Sequence, residues 1–211
     1  MSSIEQSFTR HGIDVSRETI ERLNIYERLL LKWQSAINLV GPATLDNVAE
    51  RHFLDSAQIW KHIPDKNVRL ADMGSGAGFP GLVLAVMGIA DVHLIESDIR
   101  KATFLREVSR ETGVKVTIHD KRVEDCRIEN IDVITARALA PLKELLDMSV
   151  KLRTATHPFY TVFLKGAQHE DEVQKARKKW QFTLESFPSI TDPASRILKV
   201  GRLDSLACGL K

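Results

Sequence analysis

The sequence predicts a doubly wound α/β sheet that follows an N-terminal helical segment. Apolar residues recur at three- and four-residue steps through the first third of the chain. From Val68 onward, short apolar runs of strand character alternate with helical patterns. A glycine-rich turn, Gly74-Ser-Gly-Ala-Gly78, joins one such run to the helix after it.

In chain order, Ile20, Leu23, Leu30, Trp33, Ile37 and Val40 lie on one stripe of a helix expected from Glu18 to about Val40. Gly41-Pro42 is expected to end it, because glycine caps a helix and proline cannot continue one. A second helix is expected over Leu45 to Ile63, closed by the turn Pro64-Asp65-Lys66-Asn67. Strands follow at Val68–Met73, Val92–Ile95, Val114–Ile118, Ile131–Thr135 and Pro158–Leu164, with two more near Phe182–Phe187 and Arg196–Leu203. The intervening helices are Leu82 to about Gly88, Arg100–Thr112, Leu142–Leu152 and residues 170–180. Residues 1–66 are therefore expected to form a helical cap packed on the sheet core of residues 67–211, together one compact unit.

Composition narrows the class. Of 211 residues, 43 % are apolar and 27 % charged, ordinary globular usage that excludes disordered and fibrous chains. No run approaches the roughly 20 apolar residues needed to span a bilayer, and the start Met1-Ser-Ser-Ile lacks the pattern of a signal peptide. Cys126 and Cys208 have no partners at metal-binding spacing, so neither a disulfide framework nor a metal site is expected. A soluble cytoplasmic protein without membrane partners is the expectation. The net charge of +2 is weak for a nucleic-acid binder, although a balanced chain can still carry a basic face.

The glycine turn is the sharpest chemical signal. Small residues let backbone approach a ligand closely, beside the unpaired N–H groups of a helix N-terminus. A dinucleotide fingerprint needs glycine at the first, third and sixth places, and the sixth place here is Phe79. Glu96, ending the second strand, suits a ribose diol. Asp72, just before the glycines, suits the amino-acid end of S-adenosyl-L-methionine and would do nothing for a pyrophosphate. The turn therefore favours a methyl donor over NAD.

The run Asp72-Met-Gly-Ser-Gly-Ala-Gly-Phe-Pro-Gly81 resembles the cofactor loop of the ribosomal RNA small subunit methyltransferase G family, also called glucose-inhibited division protein B. Similar segments follow the family's order: Lys32-Trp33 with Asn38-Leu39, Arg51-His52-Phe-Leu-Asp55-Ser56, Arg122-Val123-Glu124, Arg137-Ala138-Leu-Ala140 and Leu164-Lys165-Gly166. Ala136 and Met73 depart from the residues common at their positions, away from any group assigned to chemistry. The resemblance implies a class I methyltransferase fold, Rossmann-like with a seven-stranded, mostly parallel sheet. It also implies methylation of guanine N7 in the decoding-region loop of 16S rRNA, with the rRNA or the small ribosomal subunit as partner. Carried over, Gly74, Gly76, Gly78 and Phe79 would surround the donor's methionine portion, Glu96 would hold its ribose, and Val123 and Glu124 would frame its adenine. Arg137 would meet either the donor's carboxylate or an RNA phosphate.

Guanine N7 carries a free lone pair, so its methylation requires positioning and a dry site, with no base. Consistent with that, no Asn/Asp-Pro-Pro-aromatic run follows the fourth strand and no Pro-Cys pair is present. The substrate-side candidates are Arg51, His52, Asp55 and Lys165. On a regular helix Arg51 and Asp55 would face each other four residues apart and could pair, a reading in which the segment only docks helix on sheet. Lys165, at a strand's carboxyl end, is expected to meet RNA phosphate. The basic run Lys175 to Lys179 reads more readily as a solvated helix face. The rival functions are methylation of a small molecule or protein, and RNA binding without catalysis.

Overall fold

The computed structural model describes residues 1–154 and 157–206, so Cys208 lies outside the described residues. Seven strands form one sheet in the order β3-β2-β1-β4-β5-β7-β6. They are β1 (Arg69–Met73), β2 (Asp91–Ile95), β3 (Thr117–His119), β4 (Val133–Arg137), β5 (Tyr160–Lys165), β6 (Trp180–Pro188) and β7 (Arg196–Ser205). Pairs among β1 to β5 are parallel, and β7 runs antiparallel to both β5 and β6. Parallel neighbours need crossovers, supplied here by α4 (Gly81–Val86), α5 (Ile99–Thr112) and α6 (Leu142–Leu152), while α7 (His169–Arg177) leads into the β6–β7 hairpin. From β1 the chain winds out to β3, then returns to β4 on the other side of β1. The crevice of a doubly wound sheet opens at such a reversal, at the carboxyl ends of the strands.

Strand alternation builds two cores. Leu70, Val92, Leu94, Val133, Val162 and Leu164 face one side, against α4, α5 and the N-terminal helices α1 (Ser3–Arg10) and α2 (Arg17–Gln34). Ala71, Met73, Ile95, Ile134, Ala136 and Phe163 face the other, against α6 and α7. Covered on both faces, the central strands carry almost unbroken apolar runs.

The helical cap departs from its sequence pattern in three places. Helix α1 leaves little trace in the sequence: it buries only Ile4, Ser7 and Phe8, too short a stripe to stand out, and Ser2 caps it by accepting from Glu5 N. Helix α2 ends at Gln34, ahead of Gly41-Pro42, because the Gln34 side chain terminates it. Its Oε1 accepts from the N–H groups of Leu39 and Val40, and its Nε2 donates to the Val40 carbonyl. Residues 45–63 are not one helix. They form a 3₁₀ segment (Pro42–Asn47), a π-type turn (Ala49–Leu54), a single α turn α3 (Asp55–Ala57) and a second 3₁₀ segment (Gln58–His62). Apolar spacing at three to five residues fits each of these, so periodicity alone could not separate them.

Several strand limits move toward the C-terminus. β4 starts at Val133 because Leu70 to Met73 take Val133 to Ala136 as parallel partners, while Asp132 is used to accept from Arg69 N. β3 starts at Thr117 for the same reason, its ladder being set by His93 to Ile95.

The cap reaches the glycine turn through Tyr26 of α2. Its ring stacks on Phe79 at 5.4 Å and meets Phe53 edge-on at 5.1 Å. Its buried hydroxyl donates to the Ala77 carbonyl inside the turn. Tyr26→Phe should leave that carbonyl without its partner and destabilise the protein by about 1–3 kcal/mol. Urea unfolding would read this as a lower midpoint at unchanged slope.

Candidate active site

The carboxyl ends of β1, β2 and β4 open into a cavity of about 610 Å³, within the range of about 300–1,000 Å³ usual for small-molecule sites. Gly74, Ser75, Gly76, Ala77 and Phe79 line it from the β1–α4 turn, and Glu96 and Ser97 from the end of β2. Val123 and Glu124 line it from the short 3₁₀ turn Val123–Asp125. The opposite wall is Thr44, Arg51, His52 and Asp55 of the cap, with Arg137, Ala138 and Leu139 after β4. Lys101, Lys121 and Arg122 complete the lining.

Gly74 and Gly76 adopt φ of 63° and 56°, the left-handed region where glycine alone is unstrained. That conformation turns the Gly76 N–H toward Glu96, whose Oε2 accepts it at 2.8 Å while Oε1 accepts the Asp98 N–H at 2.7 Å. A carboxylate offers about four lone pairs. Two are spent on the backbone, and the rest remain for a vicinal diol. The cavity volume, the glycine turn and this carboxylate together fit a nucleoside-bearing donor.

Three residues expected in the site lie behind it. Asp72 has no exposed surface: Oδ2 accepts from Gly81 N at 3.2 Å and Oδ1 from Thr135 Oγ1 at 2.7 Å. It faces the cap-side core, opposite Thr135 in the β1–β4 ladder, and shapes the turn without meeting its ligand. Burial pushes its pKa up to about 6. Gly78 also faces inward, where a Cβ would collide with the Tyr26 hydroxyl, Leu82 and Leu105. Lys165 is buried, paired with Glu172 at 2.6 Å and donating to the Ala140 carbonyl at 2.8 Å, so it presents no charge to RNA.

Arg51 and Asp55 do not pair, because the backbone between them is not an α-helix. Asp55 instead binds Arg137 across the cleft at 3.0 Å, and the same guanidinium donates to the Arg51 carbonyl at 3.1 Å and to His52 Nδ1 at 3.0 Å. Arg137 is thus committed inside the protein, lying 4.9 Å from the Phe79 ring centroid. A guanidinium only donates, so Nδ1 is an acceptor and the His52 proton sits on Nε2. From there it is given to Thr44 Oγ1 at 2.7 Å, and Thr44 donates onward to the Gly41 carbonyl. Burial, Arg137 and Arg51 together lower the His52 pKa to about 3, so the ring is neutral under physiological conditions. It stacks on Phe79 at 5.0 Å.

Several contributors gave little sequence signal. Tyr26 sits on the helical stripe with Leu23 and Leu30, and nothing local marks its hydroxyl as a partner of the glycine turn. Thr191, from the β6–β7 turn, donates to Asp55 Oδ1 at 2.6 Å across 136 positions of sequence, which no local pattern reveals. Lys101, Lys121 and Arg122 stand beside Glu96 and Val123-Glu124 in the sequence, but only the cavity wall sets them apart from other surface cations. The Lys175 to Lys179 run lies off the cavity wall, with Lys175 on Asp171, Lys179 on Asp147 and Arg177 over Phe182.

The family model described as rRNA small subunit methyltransferase G matches residues 19–197. The chain belongs to that family. The family member from Rhodospirillum centenum, a ribosomal RNA small subunit methyltransferase G, is 50 % identical over 190 residues, covering 90 % of this chain and 87 % of that protein. The protein of the same name from Paramagnetospirillum magneticum is 50 % identical over 194 residues, covering 92 % and 93 %. Among solved structures, magnesium protoporphyrin IX methyltransferase from Synechocystis PCC 6803 with bound donor superposes with a TM-score of 0.59. It covers 90 % of this chain and 98 % of that one at 13 % identity, a likeness of fold. The fold is the class I S-adenosylmethionine-dependent methyltransferase fold, and the family's cofactor is S-adenosyl-L-methionine.

Because the folded state raises the Asp72 pKa, it binds that proton more tightly than the unfolded chain does. This group's contribution to stability is greatest below the ordinary carboxylate pKa and is lost as pH rises to about 6. Asp72→Asn keeps the shape and removes the titration. The variant should gain on the order of 2–3 kcal/mol relative to wild type between about pH 4 and pH 7, read from urea unfolding across that range.

Proposed function

We propose that this protein transfers a methyl group from S-adenosyl-L-methionine to N7 of a guanine in the decoding-region loop of 16S rRNA, in the cytoplasm, acting on the rRNA or the small ribosomal subunit. The observation that carries this reading is one cavity with two unlike walls. The glycine turn, Glu96 and the Val123-Glu124 turn suit a nucleoside-bearing donor, and a cationic margin beside them suits a polyanion. No helix of the described residues is long and apolar enough to cross a membrane.

Bound in this cavity, the donor supplies a methyl group activated by its sulfonium. The chain's own work is binding and placement. Gly74 and Gly76 would keep backbone close to the methionine portion, Glu96 would accept from the ribose, and Val123 and Glu124 would flank the adenine. His52 holds no exchangeable charge and its proton is already given to Thr44, so it serves as a wall of the base site and not as a base. Arg137 and Asp55 fix that wall. N7 needs no deprotonation, and a site without a free base suits it.

Arg51, Lys101, Lys121 and Arg122 line the cavity without an ion-pair partner among the described residues. Free cations at a cleft margin pair with phosphates and release counterions. They explain how a chain of net charge +2 would hold RNA.

Labelled-methyl transfer to small-subunit particles from cells lacking this gene tests the reaction. Reduction and strand scission at 7-methylguanine should give one new cut in the decoding-region loop. Incorporation absent despite donor binding would point to another acceptor. Gly74→Asp should abolish donor binding by calorimetry, since a side chain there needs φ near 63° and collides with Leu139. Replacing Lys121 and Arg122 together by alanine should weaken RNA binding and lower its salt slope by about 1–2, with donor affinity unchanged.

A further inference from the structure

Six large apolar side chains of the described residues are exposed: Met1, Leu31, Ile99, Leu139, Ile190 and Leu206. Of these, Leu139 alone lines the large cavity, with 39 % of its surface open. The lining mixes apolar residues with charged ones, Arg51, Asp55, Glu96 and Arg137 among them, and Leu139 is the one large apolar side chain of the lining that is exposed.

The backbone around Leu139 is held under constraint. Ala138 adopts φ of 51°, a left-handed conformation that costs a non-glycine residue about 1–2 kcal/mol. Both ends of the loop are tied. Arg137, before it, is bound to Asp55, His52 and the Arg51 carbonyl. Beyond it, Lys165 donates to the Ala140 carbonyl at 2.8 Å and pairs with Glu172, whose Oε2 accepts the Leu142 N–H at 2.7 Å. The buried pair thus grips the chain on either side of Pro141. Between the two ties, Leu139 is laid over the glycine turn. A Cβ built on Gly74 would stand 2.6 Å from Leu139 Cδ1 and 3.1 Å from Cδ2.

We propose that Leu139 is a substrate-contacting residue of the transfer step, an apolar side chain held over Gly74 to pack against the target base and the donor's methyl region, and that Lys165 and Glu172 are the positioning residues that hold it there. This inference rests on the function proposed above. The bond changes are those of that reaction: N7 forms a bond to the methyl carbon as the carbon–sulfur bond breaks, with the pair of electrons going to sulfur. Leu139 adds no covalent step. It excludes water from the line of attack and offers no hydrogen bond that would compete for the N7 lone pair. Its exposed surface in the free protein is apolar area that substrate would cover.

The test measures single-turnover methyl transfer on small-subunit particles, with donor affinity by calorimetry and Tm alongside. For Leu139→Ala the transfer rate should fall about tenfold or more, with donor affinity within about threefold and Tm nearly unchanged, since the side chain is exposed. Leu139→Met should restore most of the rate. Glu172→Gln, which keeps an acceptor for Leu142 N but weakens the pair, should slow transfer in the wild-type background and add little to Leu139→Ala. A Leu139→Ala rate close to wild type, or one that falls only in step with donor affinity, would overturn the contact. Equal slowing by Glu172→Gln in both backgrounds would overturn the positioning role. Wild-type protein run on the same particles separates the two levels: no transfer by wild type refutes the proposed function, whereas normal transfer by both proteins refutes this inference alone.

Discussion

Arg137 joins the two layers of the protein at the point where the crevice opens. It ends β4 in the sheet, yet its guanidinium is held by three groups of the cap: the Asp55 carboxylate, the Arg51 carbonyl and the His52 ring. Both partners of the ion pair are largely covered, with side chains 17 % and 18 % exposed. Pairs of this kind gain little over apolar packing, but removing one partner strands the other's charge, typically at about 3–5 kcal/mol. Their value is geometric. Asp55 is itself fixed by Thr191 from the far hairpin, so cap, sheet and hairpin meet on one carboxylate. The His52 tautomer follows, because a guanidinium beside Nδ1 leaves that nitrogen no role but acceptor.

Charged side chains in this fold divide into those that build the cleft and those that face it. Asp72, Arg137, Lys165 and Glu172 build it. Each is buried or nearly so, and each joins segments distant in sequence: β1 to β4 and α4, β4 to the cap, β5 to α6 and α7. Those that face it are Glu96, whose second lone pairs stay open, and the cations Arg51, Lys101, Lys121 and Arg122. A desolvated charge is tolerated only when it is paired, so the builders' charges are answered inside the protein, although the Arg137 guanidinium also lines the cavity with N–H groups to spare. That separation suits a reaction in which no proton has to move: the enzyme supplies shape and a field, and a titrating group in the site would add nothing.

The sequence by itself determined the α/β class, the glycine turn and Glu96, because these are local. Strand patterning has a period of two residues, the turn needs glycine within five positions, and Glu96 follows directly from its strand. The resemblance over Arg51 to Ser56, Arg122 to Glu124 and Arg137 to Ala140 marked segments that do meet at the cavity. What each charged residue does there was not legible, since a carboxylate in a motif reads the same whether it faces ligand or core. Only the tertiary structure decided that Asp72 turns toward Thr135 and Lys165 toward Glu172, and that Asp55 takes Arg137 in place of Arg51. It also decided that the cap's middle would be short turns and not a helix. The physical reason is that burial and pairing depend on partners brought together by the sheet: Asp72 with Thr135, Asp55 with Arg137 and Thr191, and Glu172, near Lys165 in sequence, held in place by the Leu142 N–H of another helix, and no local pattern carries that information.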